Sequence, residues 1–144
     1  DMGGTSTDVC RVDGTALLRY EAIKAGTRIL MPTLDIHTVA SGGGSVCSFD
    51  GVEWKVGPQS AGANPGPACY GRRGPLTVTD LNLLTGRLPS DALPIRVDRT
   101  AAQNQLHDLA ARADGITDEM SLVDGLRQIA NEQMAAAVRS ITLA

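Results

Sequence analysis

The residues best placed to do chemistry open the sequence, in Asp1-Met2-Gly3-Gly4-Thr5-Ser6-Thr7-Asp8. Two adjacent glycines let the backbone turn with positive φ and approach a ligand closely. Successive N–H groups in such a turn cradle an anion, and Thr5, Ser6 and Thr7 add hydroxyl donors. Asp1 and Asp8 would repel a phosphate on their own. They suit one if a divalent cation stands between, because Mg²⁺ is held by one or two carboxylates together with waters and phosphate oxygens. The competing reading is a Gly-Gly turn stitched by local Ser/Thr hydrogen bonds. Gly3, Gly4, Thr5, Ser6 and Thr7 are thus candidate phosphate donors, and Asp1 and Asp8 candidate partners of a metal or its waters.

A second group lies at Leu34-Asp35-Ile36-His37-Thr38-Val39. Its alternation has the period of a half-buried strand, which places Asp35 and His37 on one face, close to the Gly42–Ser45 turn. They could hold a second divalent metal or polarise a substrate. Equally, they could be satisfied by hydrogen bonds on an exposed face. His107 reads as solvent-facing on the polar side of a helix. Cys69, within Pro67-Ala68-Cys69-Tyr70-Gly71, reads as packed rather than nucleophilic, since a reactive thiol needs a neighbouring base or positive field. Arg72 is near it in sequence, but no histidine is. Neither GK[ST] nor GxGxxG occurs, which sets aside P-loop and dinucleotide-binding folds.

Three kinds of segment must position these groups. Residues 1–56 read as strands and tight turns. Asp13-Gly14, between "TDVCRV" and "TALLRYE", and Asp50-Gly51, between "SVCSF" and "VEWKV", are strong hairpin signals. Thr27–Pro32 is extended ahead of its proline. Residues 57–95 begin with "GPQSAGANPGPACYGRRG", too rich in Gly and Pro for regular structure and too long for an idle loop in a compact domain. A short strand follows, then a turn or two of helix with Asp80 as N-cap, ended at Gly86. Residues 96–144 are helical. Thr100 caps a helix whose Ala102, Leu106, Leu109, Ala110 and Ala113 share a face, with Gly115 beyond its end. Ser121 and Asp124 stand at capping-box spacing before a stripe of Leu122, Leu126, Ile129, Ala130, Met134, Ala137, Val138 and Ile141. Both ends look cut: the opening loop has no strand before it, and the last helix is still amphipathic at Ala144.

Composition bounds the rest. The 144 residues are one domain's worth, 42% apolar but only 3% aromatic, so the expected core is aliphatic. A net charge of −3 gives no electrostatic case for nucleic acid or acidic lipid. No apolar run approaches the roughly 20 residues of a membrane span, and no signal peptide is visible. Cys10, Cys47 and Cys69 are odd in number and lack CxxC spacing, which argues for a reduced, cytoplasmic setting.

"DMGGTSTDV", "LDIHTVASGGGS", "VGPQSAGANPGPACYGRRGPLTVTDLNLLTGRL" and "IANEQMAAAVRS", in that order, resemble the hydantoinase/oxoprolinase family. The resemblance is densest over residues 1–88, and the long Gly/Pro segment is its most specific part. It implies an internal fragment of a hydantoinase A-type domain. The implied fold is α/β, part of one lobe of an actin/Hsp70/sugar-kinase-like ATPase, with β-hairpins first and helices at the C-terminal end. In that fold two lobes close on ATP, and Asp1-Met2-Gly3-Gly4-Thr5 with Thr7 and Asp8 matches the second of two phosphate loops. The resemblance also implies ATP with Mg²⁺, a small cyclic amide such as a hydantoin or 5-oxoproline, and a second, hydantoinase B-type subunit or domain. Asp1 would be the catalytic carboxylate, orienting a water on Mg²⁺. Arg73 departs from the family, which usually has Gly there, and Leu81 departs where Ala is frequent.

Two functional classes follow. One is part of an ATP-dependent hydrolase that opens cyclic amides through phosphate activation, or of a related carboxylase. The other is a non-catalytic, actin-like nucleotide-binding or interaction module. The Gly57–Gly74 segment favours the enzyme, because generic actin-like modules lack it. The isolated chain is expected to bind ATP weakly, since high affinity in that fold needs donors from both lobes.

Overall fold

The computed structural model describes residues 1–91, 94–113 and 116–142. Among these residues ten short strands precede three α-helices, so the order of elements is mixed α/β with strands first. The strands pair two by two, every pair antiparallel. β1 (Thr7–Cys10) pairs with β8 (Ile36–Val39), with Thr7 opposite Val39 and Cys10 opposite Ile36. Between them an arm folds as small ladders: β2 (Val12–Asp13) with β3 (Thr15–Ala16), β4 (Leu18–Arg19) with β7 (Thr33–Leu34), and β5 (Ala22–Lys24) with β6 (Thr27–Ile29). The Asp13-Gly14 hairpin exists, with Gly14 at φ 71°. Its strands are two residues each, however, because "TDVC" pairs with the distant "IHTV" and not with "TALLRYE". Tyr20, Ile23 and Leu30 on the arm are 69–72% exposed and take no part in the core.

The core begins after the arm. β9 (Ser45–Phe49) and β10 (Trp54–Ser60) form the hairpin expected at Asp50-Gly51. Asp50 accepts the N–H groups of Val52 and Glu53 in that turn. Cys47 and Val56 from this hairpin, Cys69 and Leu76 from the Gly/Pro segment, and leucines of all three helices make one buried cluster, aliphatic as composition requires. Phe49 and Trp54 pack at its edge with ring centroids 4.6 Å apart.

Each helix starts earlier than the cap expected from sequence. α1 (Val78–Leu84) has Thr77 as N-cap, and Asp80 is its N3 residue, reaching back to the Thr77 N–H at 2.8 Å. α2 (Arg99–Ala110) is capped by Asp98, which accepts the Ala101 N–H at 3.0 Å, and not by Thr100. A carboxylate bears full charge at the positive end of the helix dipole and outcompetes a hydroxyl there. Arg99 then donates to the Leu83 and Leu84 carbonyls at 2.6 and 2.7 Å, satisfying the orphan end of α1. α3 (Glu119–Thr142) begins before Ser121, whose hydroxyl donates to Asp118 at 2.6 Å. Asp124 pairs with Arg127 instead of forming a capping box. The expected faces of α2 and α3 hold: Ala102, Leu106, Leu109, Leu122, Leu126 and Ala130 are buried. Val123 joins them, fully buried, while Val138 is 46% exposed. Ala113 follows the end of α2, and Gly115, the expected stop, lies outside the described residues.

Candidate phosphate-loop site

Residues 1–8 fold back on themselves. Gly3 N–H donates to the Ser6 carbonyl at 2.8 Å, Met2 and Thr7 form an antiparallel bridge, and Asp8 N–H donates to the Asp1 carbonyl at 2.8 Å. The Asp1 nitrogen completes that pair by donating to the Asp8 carbonyl at 2.7 Å. This register sets Gly4-Thr5 at the tip. Among the described residues, the N–H groups of Gly4, Thr5 and Ser6 have no protein acceptor, and all three residues are at least partly exposed. Free N–H groups at one tight turn are of the kind that can cradle an anion.

The candidate donors divide into those that hold the loop and those that face outward. Gly3 N–H is engaged within the hairpin. Thr7 is buried, and its hydroxyl donates to the Ser41 carbonyl at 2.6 Å. Thr5 meets the Ser60 hydroxyl at 3.2 Å. Directly opposed residues of an antiparallel pair project to the same face. Asp1, Asp8 and Ser6 therefore share one face of the hairpin, and Met2 and Thr7 take the other. Thr38, opposite Asp8 on β8, donates its hydroxyl to the Asp8 carboxylate at 2.7 Å.

What braces the loop is the triple-glycine turn, and sequence reasoning did not see the contact. Gly43 N–H donates to the Gly3 carbonyl at 3.0 Å, and Gly44 N–H to the Gly4 carbonyl at 2.6 Å. The two backbones touch so closely that side chains are excluded. A Cβ on Gly42 would fall 2.7 Å from Gly3 O and 2.8 Å from Gly4 C and O. One on Gly44 would fall 2.9 Å from Gly4 O.

Asp35 and His37 do not share a face. Asp35 lies in the break between β7 and β8, where alternation does not carry through, and its N–H donates to the Leu17 carbonyl. Its carboxylate forms an ion pair with Arg19 at 2.6 Å. It lines a concavity with Asp8, Ile36 and Thr38. His37 sits opposite Val9, on the other face of the β1–β8 ladder from Asp8 and Thr38. Asp1, Asp8, Asp35 and His37 are thus not brought together. Among the described residues no three His, Cys, Asp or Glu side chains cluster as a metal site would. His107 is exposed as expected and meets Glu119 at 2.8 Å.

Sequence reasoning also missed the weight carried by Asp80. It is fully buried, and its carboxylate accepts the N–H groups of Ala68, Cys69 and Thr77 and the Thr77 hydroxyl, all at 2.8–3.1 Å. It pins the Gly/Pro segment to the start of α1. The legible signal was Thr77-x-x-Asp80, a capping-box spacing.

Burial, with Asp80 close by, pushes the thiols of Cys47 and Cys69 from an ordinary 9.0 up to about 12. Both are protonated and unreactive near neutrality, while Cys10 is exposed. Alkylation of the native chain at about pH 8 is expected to label Cys10 rapidly and the other two only on unfolding, read by peptide mass spectrometry. In the unfolded chain these two thiols ionise near 9.0, and in the folded chain only near 12. The unfolded state then binds fewer protons across that window, so stability falls as pH rises through it.

The sequence profile of the Hydantoinase/oxoprolinase family matches residues 1–144. The chain belongs to the hydantoinase/oxoprolinase family. It is 41% identical over 160 residues to a 5-oxoprolinase of Dictyostelium discoideum, covering 99% of this chain and 12% of that protein. It is 38% identical over 156 residues to the caprolactamase subunit alpha of Pseudomonas jessenii, covering 99% of this chain and 21% of that one. The nucleotide-free structure of acetone carboxylase superposes with a TM-score of 0.81 at 23% identity, over 97% of this chain and 21% of its own. This member of the family therefore spans a small part of the length of the relatives it matches. Arg73, named above as a departure from what the resemblance implies, holds φ 59°, a left-handed conformation that favours glycine. No helix among the described residues is long and apolar enough to cross a membrane.

Proposed function

We propose that the Asp1–Asp8 hairpin is a nucleotide phosphate loop in an enzyme that uses ATP to open a cyclic amide of the 5-oxoproline, hydantoin or lactam type. One observation carries this reading: the unaccepted N–H groups of Gly4, Thr5 and Ser6 at a glycine-rich tip that a second glycine turn braces. Phosphoryl transfer is mainly positioning and electrostatics, and this tip supplies both. Gly4, Thr5 and Ser6 bind phosphate oxygens, while Gly3 and Thr7 hold the loop in shape. ATP, when bound, would supply a phosphoryl group to the amide oxygen, removing the resonance that protects the ring carbonyl carbon from water, so that the C–N bond of the ring can break and the nitrogen leave as the amine. Asp1 and Asp8 offer only oxygen donors from one face, with Thr38 already orienting Asp8, which suits a hard cation such as Mg²⁺. They would hold its waters, and the ion would offset phosphate charge. Asp35 and His37 lie outside this role.

The wider setting is an actin/Hsp70/sugar-kinase-like lobe, supported by the glycine turn joining two antiparallel strands. A B-type subunit or domain works beside it, a reading supported by the relative named as a subunit alpha. Free cysteines support a reducing, cytoplasmic compartment.

The test is phosphate release and ring opening by the full-length enzyme with Mg-ATP and 5-oxoproline, a hydantoin or caprolactam. Asp1→Ala is expected to lower both by about 10²–10³-fold, the size of effect seen when one preorganised electrostatic group is lost, with the circular dichroism spectrum unchanged. Turnover near the wild-type rate in that variant sinks the assignment.

A further inference from the structure

Gly43 is bonded on two sides. Its N–H donates to the Gly3 carbonyl at 3.0 Å, and its own carbonyl accepts both the N–H and the hydroxyl of Thr79, each at 2.8 Å. Thr79 is the second residue of α1, and Asp80 beside it locks the start of that helix. A Cβ on Gly43 would come within 2.9 Å of the Thr79 hydroxyl, so that oxygen fills the space between turn and helix. A continuous bonded path thus runs from a helix anchored in the core, through one glycine residue, to the base of the loop tip.

We propose that Thr79 is a positioning residue for the phosphate loop, acting through Gly43 on Gly3. The loop tip is exposed and would swing as a unit with its brace. On the core side the Thr79 N–H alone would hold the Gly43 carbonyl at a single point, about which the Gly43–Gly44 peptide and the loop bonded to it could turn, and the hydroxyl supplies a second bond from the helix that limits the turn. Donors aimed at phosphate oxygens work only when held in place before the ligand arrives. The side chain itself is half-buried at the edge of the core, and its neighbours Val78 and Leu81 do the packing. Its hydroxyl can be removed without emptying a cavity.

The inference rests on reading the hairpin as a phosphate loop. The experiment is steady-state kinetics of the full-length enzyme with Mg-ATP and whichever of 5-oxoproline, hydantoin or caprolactam it turns over. Thr79→Val keeps the branched shape and loses the hydroxyl. It is expected to raise KM for ATP about 5–10-fold, the effect of one lost hydrogen bond, and to leave KM for the amide within about twofold. Thr79→Ser restores the hydroxyl and should return KM for ATP to within about twofold of wild type. Gly43→Ala pushes on the same hydroxyl from the other side and should give the same ATP-selective rise, which keeps the test open if the valine variant folds poorly. A Thr79→Val enzyme with unchanged KM for ATP, or with both KM values moved together, overturns the positioning role alone. A wild-type enzyme that releases no phosphate with any of the three amides overturns the phosphate-loop reading and this inference with it.

Discussion

Asp80→Ala is expected to be the most destabilising single substitution in the chain, with a loss of at least about 4 kcal/mol. The carboxylate is inaccessible to water and accepts four hydrogen bonds, three from backbone N–H groups and one from the Thr77 hydroxyl. A buried donor left without an acceptor costs about 1–3 kcal/mol. Water entering the space left by the side chain recovers part of that, and the remainder still approaches the whole stability of a typical domain, about 5–15 kcal/mol. Ala68 and Cys69 would be released from α1, and Asp98, whose N–H donates to the Cys69 carbonyl at 2.7 Å, would lose its anchor too. The damage therefore spreads from the Gly/Pro segment to the start of α2. Asp80→Asn keeps one acceptor oxygen but turns an NH₂ group toward donors, and should fall between wild type and alanine. Thermal unfolding followed by circular dichroism reads the effect as a drop of roughly 10 °C or more for alanine. A shift of only a degree or two would show that the carboxylate is not the anchor it is argued to be.

The three helix starts show how far a sequence can be read. Apolar periodicity finds the buried faces of α2 and α3 because a helix must bury whatever stripe it carries. It does not find the caps. Asp80, Asp98 and Asp118 each serve a helix start, and each also answers a demand from outside its own helix or from its own first turn. Asp80 takes N–H groups eleven and twelve residues upstream, and the N–H of Asp98 is claimed by Cys69. Such demands leave no local trace beyond the residue type.

Strand pairing has the same limit. Asp50-Gly51 joins two strands that pair with each other, so the local signal suffices. Asp13-Gly14 carries the same signal, yet β1 pairs with β8 across the whole intervening arm. β1 and β8 lie beside α3, a placement distant in sequence that no turn residue records. Asp35 illustrates the cost: alternation places it beside His37, and the strand break at that residue sends it to Arg19 instead. At the candidate site, the glycine-rich loop and its donors were legible because glycine and hydroxyl residues announce a turn and its ligands locally. Gly42–Gly44 were legible only as a break, since their partners lie about forty positions away in the chain.

That distant contact sets the second large effect, Gly42→Ala. The added methyl would sit 2.7 Å from the Gly3 carbonyl oxygen and 2.8 Å from Gly4 C and O. Real Cβ contacts do not reach such distances, and both neighbours are backbone, which cannot rotate aside as a side chain would. Either the triple-glycine turn or the phosphate loop must move. The turn is held by Ser45, whose hydroxyl accepts the Gly42 N–H at 2.9 Å, and by Thr79 on Gly43. The loop tip is exposed, so the loop gives way. Overpacking of this kind costs about 1–3 kcal/mol in stability. The functional effect is larger, because a displacement of about 1 Å in a positioning element costs about 10²-fold in rate. Gly42→Ala in the full-length enzyme should therefore lower ATP-dependent ring opening about 100-fold or more while the protein remains folded. Gly51→Ala is the matched comparison: Gly51 has open space around its missing Cβ and lies in the Asp50-Gly51 turn, away from the loop. It holds φ 97°, so alanine there is strained and the variant loses stability without touching the phosphate loop. Equal losses of activity in the two variants would mean that glycine content matters only for folding. A selective loss at Gly42 would mean that the triple-glycine turn is part of the phosphate site.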